Sequence, residues 1–180
     1  MKVVSIVGMA GSGKSEVARH FQENGFTTVR FGDVTDEGVR KMRLELNEAN
    51  ERRVRELLRK KHGMDAYARL NLPRINSALE SSDVVIDGLY SWEEYAFLKD
   101  YYGAGFIVVA VWASPKTRYS RLATRSSRKL TPEEAASRDR TEIENINKGG
   151  PIAMADFTIL NESSLADLKK EVERIISGLR

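Results

Sequence analysis

The sequence predicts an α/β fold, a five-stranded parallel sheet with helices on both faces. Three observations predict it. Short β-branched runs alternate with longer stretches of helical period. A glycine-rich string, Gly8-Met9-Ala10-Gly11-Ser12-Gly13-Lys14-Ser15, joins the first run to the first helical stretch. Two of the apolar runs close on an aspartate, Asp33 and Asp87. With 180 residues the chain suits one compact domain, large enough to fold without a disulfide or a structural metal.

Taken in order, residues 2–7 read as a first buried strand, residues 15–24 as a helix stopped by Gly25, and residues 27–31 as a second strand. Residues 37–61 are helical in period with one or two breaks. Val39, Met42 and Leu46, then Val54, Leu57 and Leu58, recur three and four apart. Opposite charges four apart, Glu51 with Arg55 and Arg52 with Glu56, mark a solvated face. A helical stretch over residues 65–81 is expected to kink or restart at Pro73. Residues 83–87 form a third strand, residues 91–101 a helix, and residues 106–112 a fourth, almost wholly apolar strand. Ser114 caps a helix with Pro115 at its first position, and Thr131-Pro132-Glu133-Glu134 has the form of a capping box. The helix it opens runs to Ile146, with Gly149-Gly150-Pro151 as its stop. Residues 157–160 give the fifth strand and residues 165–176 the last helix. Two regions are too long for simple connections: residues 38–82, a candidate substrate-binding segment, and residues 126–151, a candidate lid.

Composition narrows the function classes. The chain has no cysteine, which excludes thiolate metal sites and cysteine nucleophiles and fits a reducing compartment. The N-terminus lacks the apolar core of a signal peptide, and no stretch reaches the roughly 20 apolar residues of a membrane span. A soluble cytoplasmic protein without a membrane partner is expected. The net charge of +3, from 29 Lys+Arg against 26 Asp+Glu, suits an anionic substrate. It gives little support to nucleic-acid binding, since no stripe of unpaired basic residues stands out.

The string from Gly8 to Ser15 matches G-x-x-x-x-G-K-[ST] in full, between a buried strand and an amphipathic helix as the motif requires. Glycines let the backbone turn tightly around an anion, and successive N–H groups with the helix N-terminus supply positive potential. Lys14 is expected to reach the β- and γ-phosphates and Ser15 to bind magnesium. The implied fold is that of the P-loop nucleoside triphosphate hydrolases, with ATP and Mg2+ as the bound species. Asp87 ends its strand in the manner of a Walker B element. Asp33 and Asp87 share two open roles: holding magnesium, directly or through water, and accepting a proton from an attacking hydroxyl. Arg118, Arg121 and Arg125 fall within roughly a 60° arc of one helix. Arg128, Arg138 and Arg140 follow, and Arg138 can pair with Glu142 one turn on. Arginines that close over a migrating phosphoryl group stabilise its charge.

Taken together, Gly8 to Ser15, Asp87-Gly88, Ala113-Ser114-Pro115 leading into Arg118, Arg121 and Arg125, then Arg138-Asp139 and the run from Ala155 to Asn161 resemble the nucleoside-monophosphate-kinase-like P-loop kinases. Within that group the chain looks closest to dephospho-coenzyme A kinase and its archaeal relatives. The resemblance covers nearly the whole chain. It implies an ATP-dependent phosphotransferase with Asp33 near the phosphoryl acceptor, Arg125 and Arg138 near the phosphates, and the Asn161 loop near the adenine. Related monophosphate kinases carry arginines soon after the two aspartates. Here Val34-Thr35-Asp36 and Leu89-Tyr90-Ser91 stand instead, which favours an acceptor other than a nucleoside monophosphate. A reading of a different class is a nucleotide-dependent switch or regulatory ATPase acting on a protein or RNA partner.

Overall fold

The computed structural model of the protein describes residues 1–126 and 128–179. Ser127, inside the candidate lid segment, lies outside the described residues.

Five parallel strands, β1 (Val3–Val7), β2 (Thr27–Arg30), β3 (Val84–Asp87), β4 (Phe106–Trp112) and β5 (Phe157–Leu160), lie in the order 2-3-1-4-5. Alternation along the strands divides the core. Val3 and Val7 with Ile86, Phe106 and Val108 face one side, where they meet Tyr67, Ala68 and Ile75 of α4 (Ala66–Leu79) and Leu98 of α5 (Trp92–Tyr102). Val4 and Ile6 with Val85, Val109, Val111 and Ile159 face the other. They pack on Val17, Ala18 and Phe21 of α1 (Lys14–Glu23) and on the apolar stripe Leu168, Val172, Ile175 and Ile176 of α9 (Leu165–Leu179). Both faces of a parallel sheet are thereby covered, which is why its strands read as unbroken apolar runs. The register β1–β3 sets Ile6 beside Asp87. The first strand's exit into the glycine loop and the third strand's terminal carboxylate thus share one edge, the carboxyl edge where ligands bind in such sheets.

Between β2 and β3 lie α2 (Asp33–Lys41), α3 (Glu48–His62) and α4. Three expectations need correction here. The helical run starts at Asp33, because the β2 strand ends at Arg30 and Gly32 already takes helical angles, so Asp33 opens a helix instead of closing a strand. The break falls at residues 42–47, and Leu46 lies in a connection, not on a helical face. Pro73 does not restart α4, which runs through it as one helix. Tyr67, Ala68 and Asn71 before it and Ile75 after it are all buried, so packing holds the helix on both sides of the missing donor.

The second half adds α6 (Pro115–Thr124), α7 (Pro132–Glu144) and the short α8 (Gly149–Ala153). Ser114 caps α6 and the Thr131–Glu134 capping box opens α7. Gly149-Gly150-Pro151, expected as a stop, instead starts α8. The chain reverses earlier, at Asn147 with φ 52°, and proline is tolerated in a first helical turn. Gly150 packs so closely on Trp92 that an added Cβ would lie 2.6 Å from the ring.

A second capping box opens α5, where the Glu94 side chain accepts from the backbone N–H of Tyr90 at 2.9 Å and of Ser91 at 3.3 Å. Burial pushes this carboxyl up to about 7, against the Arg59 guanidinium and the two backbone donors. A raised carboxyl stabilises the fold while protonated. Its contribution is complete below the unfolded value of 4.5 and is lost as pH rises to about 7. Glu94→Gln keeps the acceptor and removes the titration. Urea midpoints at pH 5 and pH 8 should therefore fall more steeply in the wild type than in E94Q, and parallel behaviour of the two proteins would refute the assignment.

Candidate functional site

The loop from Gly8 to Ser15 wraps from β1 into α1 with a left-handed Gly13, φ 102°, at the helix entrance. Two contacts explain why glycine is needed in this turn. A Cβ on Gly11 would meet the Arg118 carbonyl oxygen at 2.8 Å, and one on Gly13 would meet the Asn161 amide at 2.3 Å. Ser12 is fully buried, and its carbonyl accepts from Asn161 Nδ2 at 2.8 Å. The Asn161 backbone N–H donates to Trp112 O at 2.8 Å, and its own carbonyl accepts from Arg121 at 3.0 Å. The Asn161 side chain is thus committed to the underside of the phosphate loop.

Lys14 Nζ donates to the Met9 carbonyl at 2.9 Å, closing over its own loop. Burial, then the Lys148 ammonium, lower its pKa to about 7, with Glu142 and Asp87 opposing. The side chain is thus half-buried in a pocket rich in positive charge, not free on an exposed loop. Ser15 Oγ lies 3.3 Å from Asp87 Oδ2.

A cavity of about 160 Å³ opens in front of these groups. Ala10, Lys14, Ser15, Asp87 and Gly88 line its sheet side, and Arg30, Tyr90, Arg138, Glu142 and Lys148 line the rest. Asp33 is absent from that lining. Its carboxylate sits 2.9 Å from Arg30 Nη1, which also holds Asp36 at 3.0 Å, so Arg30 is the group that carries this corner into the cavity. Burial, then Asp87 and Glu94, raise the Tyr90 phenol well above its ordinary value, and it stays protonated as a donor.

The predicted arginine set divides. Arg118 is buried and grips Asp139 with two bonds of 2.9 and 2.6 Å, while also donating to the carbonyls of Ala10 and Ala113. It cannot reach a phosphate, and Arg121 is likewise turned to the Asn161 carbonyl. Arg140 is exposed beside Glu144. Arg125 ends α6 with its guanidinium folded on the Arg128 carbonyl. Burial, then the Arg138 and Arg128 cations, lower its pKa. Arg128 pairs with the buried Glu51 of α3. Arg138 alone of the six lines the cavity, with Nε 3.1 Å from Glu142 Oε1 and Nη1 3.9 Å from Glu48.

Three cavity residues were not singled out from sequence: Arg30, Tyr90 as a lining group, and Lys148. A strand-end arginine and a lysine beside a Gly-Gly pair look like surface residues; the fold buries Lys148 and leaves the exposed Arg30 at the cavity's rim. Glu142 was visible only as the possible partner of Arg138.

The donor set fits magnesium in a particular way. Among the described residues no group of three His, Cys, Asp or Glu could hold a metal by itself. One hydroxyl facing one carboxylate is what a magnesium ion uses when phosphate oxygens and water complete its shell.

A family profile described as an AAA domain matches residues 4–147. The UPF0200 protein of Thermococcus kodakarensis is 36% identical over 185 residues, covering 98% of this chain and all of that protein. The chain belongs to the UPF0200 family. Its fold is that of P-loop kinases. A shikimate kinase from Bacteroides thetaiotaomicron superposes with a TM-score of 0.64 at 12% identity, covering 99% of this chain and 98% of that one. A gluconokinase from Sinorhizobium meliloti superposes with 0.63 at 16%, covering 99% and 95%. No helix among the described residues of this UPF0200 protein is long and apolar enough to cross a membrane.

Two outcomes follow from this geometry. With its pKa lowered to about 7 by burial and the Lys148 ammonium, Lys14 loses much of its charge at pH 8, and contact with a polyphosphate would restore it. Binding of ATP at pH 8 should therefore take up a proton, read by calorimetry in buffers of different ionisation enthalpy, and Lys14→Met should abolish the uptake. Identical heats across buffers would contradict it. Arg118→Met leaves the Asp139 carboxylate buried without its partner and should cost about 3–5 kcal/mol in urea unfolding. A loss under about 1 kcal/mol would show that Asp139 is resolvated.

Proposed function

We propose that this UPF0200 protein is an ATP-dependent small-molecule kinase that transfers the γ-phosphoryl group of ATP to a hydroxyl of a nucleotide- or coenzyme-like acceptor. The observation that carries the reading is the cavity itself. The phosphate loop with Lys14, Ser15 and Asp87 forms one wall, and Arg138 from the segment over residues 126–151 reaches in from another. A switch needs the first wall. The second, with Arg30 and Tyr90 beside it, leaves room for a reacting partner. Two proteins of the same fold are named as kinases of small molecules, shikimate and gluconate, which supports the same class.

In this reading residues 8–15 bind the triphosphate through backbone N–H groups, and Lys14 leaves the Met9 carbonyl for the β- and γ-phosphates. Ser15, and Asp87 through water, would hold magnesium, which neutralises phosphate oxygens when bound. Residues 38–82 provide the acceptor side. Residues 126–151 act as the lid, with Arg138 and, on closure, Arg125 directed at the transferring group. Asp33 takes the acceptor proton, oriented by Arg30. The acceptor oxygen bonds to the γ-phosphorus as the bond to the β–γ bridging oxygen breaks, and ADP leaves. Arg30 takes the place of the arginines missing after Asp33 and Asp87, but from the strand side, which favours an acceptor other than a nucleoside monophosphate.

A panel of hydroxylated acceptors, including dephospho-coenzyme A, hydroxy acids and nucleosides, should contain at least one that accelerates ADP release from ATP and gains a phosphate by mass. Basal hydrolysis altered only by a protein or RNA would favour the switch reading instead. With an acceptor in hand, Asp33→Asn should lower acceptor-dependent turnover about 10²–10⁴-fold at saturating ATP. Turnover near that of the wild type would remove Asp33 from the proton transfer and leave Asp87, the carboxylate already in the cavity, as the base.

A further inference from the structure

Lys148 is 1% exposed, although lysine is among the residues least often buried. The end of α7 puts it there. Asn147 takes a left-handed conformation, and the Lys148 backbone N–H donates to the Glu142 carbonyl at 3.1 Å, so the side chain turns back into the cavity. Its Nζ lies 2.8 Å from Glu142 Oε2 and 5.4 Å from the centre of the Tyr90 ring. Glu142 Oε1 meanwhile receives Arg138 Nε at 3.1 Å.

One carboxylate therefore serves several cations. Arg30 has its own acids in Asp33 and Asp36, and Asp87 faces Ser15. Lys148 and Arg138 contact Glu142 directly, with Glu48 a distant second partner for Arg138 at 3.9 Å. Lys14 feels the same carboxylate through the field. Burial pushes Glu142 up, but Lys148, Arg138 and Lys14 outweigh it and carry the carboxyl down to about 2. Buried charge is costly unless paired, and Lys148 and Arg138 share Glu142 as the one carboxylate that both contact directly, which leaves a deficit of negative charge around them. That deficit sits where the phosphate loop delivers its anion.

We infer that Lys148 is a further catalytic cation, contacting the transferring phosphoryl group opposite Lys14. Glu142 is its positioning residue, holding Lys148 and Arg138 in the cavity and standing in for the anion until the γ-phosphoryl group arrives. This rests on the phosphoryl-transfer reading above and adds a residue to it. As the bond from the acceptor oxygen to phosphorus forms and the bond to the bridging oxygen breaks, charge spreads over three equatorial oxygens. Lys148 donates hydrogen bonds to those oxygens and keeps its protons. The acceptor's proton goes to the carboxylate base, and the electron pair of the broken bond leaves with ADP.

The test uses the whole protein with Mg·ADP and aluminium fluoride, a planar mimic of the transferring group, and needs no acceptor. Lys148→Met should weaken trapping of the mimic about 100-fold, the loss typical of one preorganised donor, while Mg·ADP alone binds as it does to the wild type. Lys148→Arg should recover at least part of the trapping. Because K148M leaves Glu142 with one contact fewer, the pair K148M/E142Q removes both charges together. Its thermal unfolding reports the fold, and its trapping should be as weak as that of K148M. Undiminished trapping in K148M, or an equal fall in Mg·ADP affinity, would overturn the role of Lys148 alone. A wild type that binds Mg·ADP and never traps the mimic would instead overturn phosphoryl transfer, and this inference with it.

Discussion

The buried guanidinium of Arg118 joins three parts of the molecule that are far apart in sequence. It donates to Ala10 in the phosphate loop, to Ala113 at the turn after β4, and with two bonds to Asp139 on α7. Tyr119 adds a bond to the same carboxylate at 3.0 Å. Every acceptor in this group is satisfied by one rigid fork, which is the arrangement that makes a buried ion pair tolerable. Its effect is positional. With α7 pinned to the phosphate loop at Asp139, the preceding residue Arg138 and, one turn on, Glu142 fall into the cavity instead of onto the surface. The cavity wall formed by Arg138 and Glu142 depends on this anchor.

The same region shows how charge is managed before a ligand arrives. Lys14 bonds to a backbone carbonyl of its own loop, Arg125 to the Arg128 carbonyl, Arg128 to Glu51 of α3, and Arg138 to Glu142, with Glu48 of α3 at 3.9 Å. Each cation has an internal substitute for phosphate. Arg128 and Arg138 thereby tie the region around α7 to α3 through ion pairs with Glu51 and Glu48.

Much of the fold was legible in the sequence because its cause is local. Five short apolar runs, the Ser114 cap and the Thr131–Glu134 box each carry their signal within a few residues, and all are found where the pattern places them. The phosphate loop was legible for the same reason. What was hidden depends on partners distant in the chain. Arg118 read as one of a stripe of phosphate-directed arginines, because Asp139 lies 21 residues away and its burial leaves no periodic trace. The brace from Asn161 to Ser12 left no signal because it spans the chain. Lys148 and Arg30 are charged residues in polar surroundings, and only the tertiary turn at Asn147 and the end of β2 bring them to the cavity. At Pro73 the expected restart is absent, because burial on both sides of it keeps α4 a single helix.

The bond from Asn161 to Ser12 closes a loop of 149 residues, and Asn161 follows the edge strand β5. During synthesis the residues that form the phosphate loop emerge first, yet the side chain that braces them emerges 149 residues later. The N-terminal part of the nascent chain can fold its β1 hydrogen bonds only after β3 and β4 have followed, and the loop gains its brace only after β5 has docked. A fragment ending before residue 161 therefore presents the whole glycine motif without the Asn161 side chain that braces it.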